Sequence, residues 1–236
     1  MNLFDLTGKT ALVTGGDGNL GPIWMRTLRD AGAEAFSLGL PAWDFSEPLD
    51  IPLAHLAYMQ AVKRVPDIIV CNAAIDTPPT KTEARFFTDF ARTMQVNINA
   101  HAALLERFIP DMIQNSGGGV IVLIGSIQGY IGADWRNYSG GFEKPCGYNC
   151  SKAALQQLAR SITVQYGRYG IRAVCPGFGP YVSKKLPEDF LENITSKIPM
   201  GRTVSKESLQ RTLLYAVCCE DLAGEDWLVD GGYTKW

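Results

Sequence analysis

Histidine is scarce in this chain, with only His55 and His101 among 236 residues. The six cysteines, Cys71, Cys146, Cys150, Cys175, Cys218 and Cys219, form no Cys-x-x-Cys pair. No metal site is expected from so thin a ligand set. Cys71 and Cys175 lie in apolar runs, where a thiol usually serves as a small buried hydrophobe. Long apolar runs are also lacking: Val120–Ile124 has the length of a core strand, far short of the ~20 residues that span a bilayer. The start, MNLFDLTGKTALVTGG, has no basic region leading into an apolar stretch and cleavage site. A cytoplasmic protein outside the membrane is expected. Charge of one sign is missing too, since the net charge is −2 and 19% of residues are charged. That balance gives no broad attraction for nucleic acid or anionic lipid, and small-molecule chemistry is the better expectation.

What is present is an alternation of strand-like and helix-like segments. Lys9–Thr14 is rich in β-formers and runs into the glycine-rich turn GGDGNLG, after which Ile23–Gly32 reads as a helix. Glycines at 15, 18 and 21 suit a turn whose amides face a pyrophosphate at a helix N-terminus. Glu34–Leu38 is the second strand, but Gly39 stands where a dinucleotide fold places the acid that binds the adenosine ribose. Asp17 within the turn would repel a 2′-phosphate nearby, and no arginine or lysine sits in the turn or just after the second strand, which favours NAD over NADP. Residues 40–52 hold too much proline for a full helix, so a crossover is shortened there. A helix over Ile51–Val65, a strand over Asp67–Cys71, a long helix over Phe86–Gln114 and a strand over Val120–Ile124 follow. Residues 129–147 read as an irregular loop, Ile171–Cys175 and Asp226–Val229 as the last strands. The pattern specifies one α/β domain, 1–236, with a doubly wound parallel sheet of Rossmann type.

The chemistry concentrates between Ser126 and Lys152. Tyr148 and Lys152 share one face of a proline-free amphipathic segment whose Leu155, Leu158, Ile162 and Tyr166 recur at helical spacing. A phenol titrates near pH ~10 and needs a neighbouring cation before it can take an alcohol's proton at neutrality. Lys152 is placed to be that cation. The same spacing also describes an exposed surface pair, and Asn97, inside the long helix, also reads as a neutral surface residue. Within the irregular loop, Trp135, Arg136 and Tyr138 read equally as substrate contacts or as solvent-facing decoration.

Taken together, TGGDGNLG at 14–21, CNAA at 71–74, QVN ending at Asn97, GS at 125–126, YNCSK at 148–152, PG at 176–177 and VDGG at 229–232 resemble the short-chain dehydrogenase/reductase family over nearly the whole chain. The resemblance implies an NAD- or NADP-dependent oxidoreductase that interconverts a secondary alcohol and a ketone. Tyr148 would be its general acid and base, Ser126 would hydrogen-bond the substrate oxygen, Lys152 would bind the nicotinamide ribose, and Asn97 would hold a water in a proton relay. It further implies cofactor contacts from Gly15, Asp17, Gly18, Asn19, Leu20, Gly21, Asp44, Asn72, Ala73, Ala74, Pro176 and Gly177, besides Tyr148 and Lys152. Substrate contacts would come from Ser126, Gln128, Trp135, Arg136, Tyr148 and Phe178. Helices around 84–114 and 150–168 resemble those of the family's dimer interfaces, so a homodimer or homotetramer is expected.

Departures from the family pattern are equally specific. Asn19 stands at a common glycine, Ala74 at another, and Tyr181 near a usual threonine, whose role Ser183 or a backbone group would take. With the crossover near 40–50 trimmed, a catalytically weak dinucleotide sensor or scaffold is the alternative function. The 22-residue step from Ser126 to Tyr148 is longer than usual, making 130–144 an inserted substrate loop. That insertion and the ending VDGGYTKW are similar to dehydrogenases of surface-sugar and flagellin-glycan modification. A sugar or sugar acid would then be the substrate, with Arg136 a partner for a carboxylate or phosphate. Residues 178–199, including Lys184 and Lys185, resemble the family's second substrate loop, with Pro187 and Pro199 limiting its helix.

Overall fold

Continuous apolar strands such as Leu12–Val13, Ile68–Cys71 and Val120–Ile124 have no polar face to give to water, so both faces of their sheet must be covered. The computed structural model, which describes residues 3–78, 87, 89–115, 117–137, 144–182 and 188–236, shows that arrangement. Its elements are β1 (Thr10–Thr14), α1 (Gly21–Asp30), β2 (Glu34–Leu38), α2 (Asp50–Val62), β3 (Ile68–Cys71), α3 (Phe90–Met94), α4 (Ala100–Asn115), β4 (Gly119–Leu123), β5 (Gly125–Ser126), α5 (Gly147–Tyr166), β6 (Ile171–Phe178), α6 (Glu188–Ser196), α7 (Lys206–Cys218) and β7 (Asp226–Val229).

All strand pairs are parallel, in the order β2-β1-β3-β4-β6. The long β6 then pairs β5 at Gly177–Phe178 and β7 along Cys175–Phe178. This is the doubly wound Rossmann order without its outermost strand, because residues 40–49 form neither strand nor helix. The shortened crossover expected there is thus a loss of both. The order reverses between β1 and β3, and ligands of such sheets bind outside the strand ends at that crevice.

Two apolar layers hold the sheet. On one face Leu12, Ile69, Ile121 and Ala173 pack under α2, α4 and α5 through Tyr58, Leu104, Phe108 and Leu155. On the other, Val13, Val70, Val122 and Val174 meet α1 and α7 through Trp24, Leu28, Leu209 and Leu213.

Several boundaries differ from expectation for local reasons. The helix read as starting at Ile23 begins at Gly21, with Pro22 in its first turn, a residue whose missing N–H costs nothing there. The helix expected to reach Val65 stops at Val62, since Lys63 turns left-handed at φ 55°. The single helix expected over 86–114 is α3 and α4 joined by a π-helical turn, Gln95–Asn99, which carries Asn97. The strand expected to end at Cys175 continues to Phe178, taking Pro176 and Gly177 into the sheet. Helix α7 was not among the expected elements. Ser205 caps it by accepting a hydrogen bond from the Ser208 amide at 3.1 Å.

The start of α1 is packed backbone against backbone. A Cβ added at Gly21 would lie 2.3 Å from the Gly15 carbonyl oxygen and 2.4 Å from Gly16 backbone, whereas one at Gly18 would meet only the Gly15 oxygen, at 3.2 Å. Gly21→Ala should therefore cost about 2 kcal/mol by overpacking and lower the melting temperature by about 4–8 °C. Gly18→Ala should shift it far less. Thermal unfolding of the two variants side by side checks the contrast.

Candidate active site

The glycine turn is built by backbone contacts. Gly15 sits at φ 61°, its amide donates to the Leu38 carbonyl at 2.6 Å, and Gly18 closes the turn by donating to the Gly15 carbonyl at 3.0 Å. Helix α1 starts with no side-chain cap and no acid in its first turn. Its leading amides and partial positive charge therefore suit an anion. Asn72 braces the other wall: Nδ2 donates to the carbonyls of Thr14 and Gly15, both at 3.0 Å, and Oδ1 accepts from Trp24 Nε1 at 2.8 Å. Thr14 Oγ1 accepts from the amides of Asn72 (2.9 Å) and Ala73 (3.0 Å), closing the strand ends together. These features fit the diphosphate and sugars of a dinucleotide.

A cleft of about 700 Å³ runs from this turn across the strand ends. Gly15, Asp17, Gly18, Asn19 and Leu20 line it, as do Asp44, Asn72, Ala73 and Ala74. Asp44 is fixed there, with Oδ1 accepting from the Ser46 amide (2.9 Å) and hydroxyl (2.8 Å), bonds that hold its carboxyl below the usual range. Gly21 is buried behind the turn, and Pro176 and Gly177 are buried within β6. Gly179, Pro180 and Tyr181 form the wall beyond them.

Ser126, Gln128, Tyr148, Lys152 and Phe178 line the same cleft. Tyr148 and Lys152 lie one turn apart on α5, where the ammonium is 5.4 Å from the phenol ring centre. Lys152 is 3% exposed, and Nζ donates to the Ile124 carbonyl at 2.6 Å. Burial lowers its pKa to about 8, against the opposing charge of Asp76 among others. Burial, and then Asp76, push the Tyr148 phenol upwards, while a hydrogen bond with Ser126 pulls it back. The group is thus a neutral phenol beside a hydroxyl and a titratable ammonium, poised to pass a proton to an oxygen bound in the cleft.

Asn97 does not line the cleft. It is 0% exposed; Oδ1 accepts from the Ile75 amide (2.8 Å), and Nδ2 donates to the Ile75 carbonyl (2.9 Å) and to Ser151 Oγ (3.0 Å). It clamps the segment after β3 onto α5. Arg136 is not among the residues lining the cleft; its guanidinium is bonded to Asp134 at 2.8 and 3.1 Å. The Trp135 side chain, Tyr138, Ser183, Lys184, Lys185 and Pro187 lie outside the described residues.

Two charged residues were not anticipated. Asp76 lines the cleft, and Lys144, the last residue of the insertion, pairs with its Oδ1 at 2.5 Å, donates to the Thr77 carbonyl at 2.8 Å and lies 6.0 Å from the Tyr148 ring centre. The only signals for them are positional: Asp76 follows CNAA by two positions and Lys144 precedes the tyrosine by four. Among the described residues no group of three or more His, Cys, Asp or Glu could hold a metal ion, and no helix is long and apolar enough to cross a membrane.

Comparison with known proteins places this geometry. The family model described as enoyl-(acyl carrier protein) reductase matches residues 44–234. An uncharacterised oxidoreductase of Thermotoga maritima is 37% identical over 179 residues, covering 71% of this chain and 67% of that protein. The 3-oxoacyl-[acyl-carrier-protein] reductase FabG of Rickettsia felis is 29% identical over 248 residues, 98% of each. A gluconate 5-dehydrogenase from Burkholderia cenocepacia J2315, in complex with NADP and tartrate, superposes with a TM-score of 0.81 at 22% identity, covering 100% of this chain and 98% of that one, a likeness of fold alone. With a family model spanning residues 44–234 and a reductase relative matching from end to end, the chain belongs to the short-chain dehydrogenase/reductase family of oxidoreductases.

Proposed function

We propose that this oxidoreductase is nicotinamide-dependent and interconverts a secondary alcohol and a ketone, with Tyr148 as general acid and base. The observation that carries the reading is the meeting of the Tyr148 phenol, the Ser126 hydroxyl and the buried Lys152 ammonium at the strand ends, in one cleft with the glycine turn. The complexed relative named above holds NADP, which supports a dinucleotide in the cleft. Gly15, Gly18 and the first turn of α1 would hold its diphosphate, and Asp44 would face its adenine. When bound, the nicotinamide supplies or accepts the hydride.

The chain's own residues do the rest. In the direction of reduction Tyr148 gives its proton to the substrate oxygen as negative charge grows there, and Ser126 donates a hydrogen bond to the same oxygen. Lys152 holds positive charge beside the phenol and so stabilises the phenolate that remains. Asn97 acts at one remove, through the clamp on Ile75 and Ser151 that fixes α5.

A polyhydroxylated substrate, a sugar or sugar acid, fits the polar substrate side. The insertion 130–144 and the segment 178–199 would form that side together. They are tied by Lys197, whose Nζ bonds Asp134 (3.1 Å) and Asn137 (2.5 Å), and by Asn193, whose Nδ2 donates to the Arg136 carbonyl at 3.0 Å. Arg136, already paired with Asp134 through Nε and Nη2, would have to meet a substrate carboxylate with its remaining N–H groups. A dinucleotide sensor is the second reading, favoured by the missing outer strand that trims the adenosine side.

Three outcomes test these readings. Tyr148→Phe should lower turnover by at least about 10³-fold while leaving dinucleotide affinity within a few-fold. Retention of most activity would remove Tyr148 from the mechanism. The specificity constant for carbonyl reduction should be flat near neutrality and fall above about pH 8, where Lys152 loses its proton. A profile still climbing through pH 9 would contradict the role given to its charge. Finally, α5 leaves Val164 87% exposed, in keeping with a helix that packs on a second copy. Sedimentation at micromolar concentration should show a dimer or tetramer rather than a 25.8 kDa species.

A further inference from the structure

The end of β2 is where a dinucleotide fold carries the acid that accepts hydrogen bonds from the adenosine ribose. Here the position is Gly39, and the reason is visible in the packing. Gly39 stands at φ 152°, and a Cβ there would come within 3.1 Å of the Gly15 amide nitrogen and 3.2 Å of its Cα. The backbone of the glycine turn lies close against the end of β2, so that a side chain at Gly39 would be crowded as well as strained by its φ. The same closeness appears one residue on: a Cβ at Gly16 would lie 2.6 Å from Ser37 Oγ.

That crowding brings a different carboxylate to the place. Asp17 follows Gly16, is exposed, and lines the cleft beside Gly39. Its Oδ2 accepts a hydrogen bond from Ser37 Oγ at 2.8 Å, across a gap of twenty positions in sequence. Ser37 belongs to β2, so the carboxylate is fixed to the very strand whose own acid is missing.

The geometry points to Asp17, oriented by Ser37, as the residue that selects the adenosine ribose, accepting from the free hydroxyls of NAD and repelling the 2′-phosphate of NADP. This rests on the reading of the cleft as a dinucleotide site. The charges around Asp17 agree. Apart from Lys152, which is buried at the far end beside Tyr148, the cation lining the described cleft is Arg92, whose charge acts on Asp44. A 2′-phosphate at the turn would therefore meet a carboxylate with no cation of the turn or of β2 to offset it.

Binding reads this out without any substrate. NADH and NADPH are titrated into the purified protein, following energy transfer from tryptophan, for the wild type, Asp17→Asn and Ser37→Ala, with circular dichroism to confirm folding. The wild type should bind NADH at least about 30-fold more tightly than NADPH, the range expected for losing a charge-assisted hydrogen bond and gaining a repulsion. Asp17→Asn, which keeps the shape but removes the charge, should narrow that ratio about ten-fold, by weakening NADH and strengthening NADPH. Ser37→Ala should narrow it in the same direction by less. Equal affinities in the wild type, an unchanged ratio in Asp17→Asn, or tight NADPH binding that is lost in Arg92→Ala would each overturn the selector while leaving the dinucleotide site standing. Binding of neither nucleotide would overturn the dinucleotide reading itself, and the selector with it.

Discussion

An ammonium group taken out of water is the constraint on which the rest of this molecule turns. Lys152 is buried under the strand ends with one carbonyl, that of Ile124, as its recorded hydrogen-bond acceptor. Removing such a charge from water costs several kcal/mol unless neighbours offset it. The ends of β3 and β4, the anchoring of α5 against them and the clamp of Asn97 all serve to hold that charge beside a phenol. Burial is the first cause of both the low pKa of the lysine and the raised pKa of the tyrosine, and it moves the two groups apart in acidity, keeping the phenol protonated while the ammonium becomes titratable.

How much of this was legible in the sequence divides along a physical line. Contacts carried by local spacing could be read: Tyr148 and Lys152 one helical turn apart, Gly15, Gly18 and Gly21 in one turn, and the apolar runs that became β1, β3 and β4. The family resemblance supplied Ser126 and the cleft that joins them. Contacts between distant segments carry no spacing signal. Lys144 meets Asp76 across 68 positions of chain, and Ser37 meets Asp17 from another element, so neither pair announced itself. Composition also misled at Asn97, which looked like a surface residue in an ordinary helix; the π-helical turn rotates it inwards, where its three bonds join two segments. Helix α7 was overlooked although Leu209, Leu213, Ala216 and Val217 mark a buried stripe behind a serine cap.

The substrate side follows a different logic from the cofactor side. Around the glycine turn the shape is set by close backbone approach, where little room is left for a Cβ. Beyond Tyr148 the structure is held by polar side chains, with Lys197, Asn137 and Tyr233 linking residues 130–137 to the end of α6 and to the C-terminal segment. Trp236 joins them by donating to the Lys197 carbonyl at 2.6 Å. Such polar links exchange more readily than packed backbone, so the substrate side can change composition without disturbing the cradle.

The missing outer strand has a consequence of its own. Among the described residues β2 pairs only with β1, so its other side offers a row of backbone donors and acceptors to whatever strand comes near. Proteins that keep such an edge open must guard it, and this one does so sparingly, with a five-residue strand that begins at the exposed Glu34. Without an outer strand, the edge of the sheet falls on β2 itself. The border left open thus belongs to the same strand whose Ser37 holds Asp17 at the cleft, so one short strand serves both the edge of the sheet and the edge of the site.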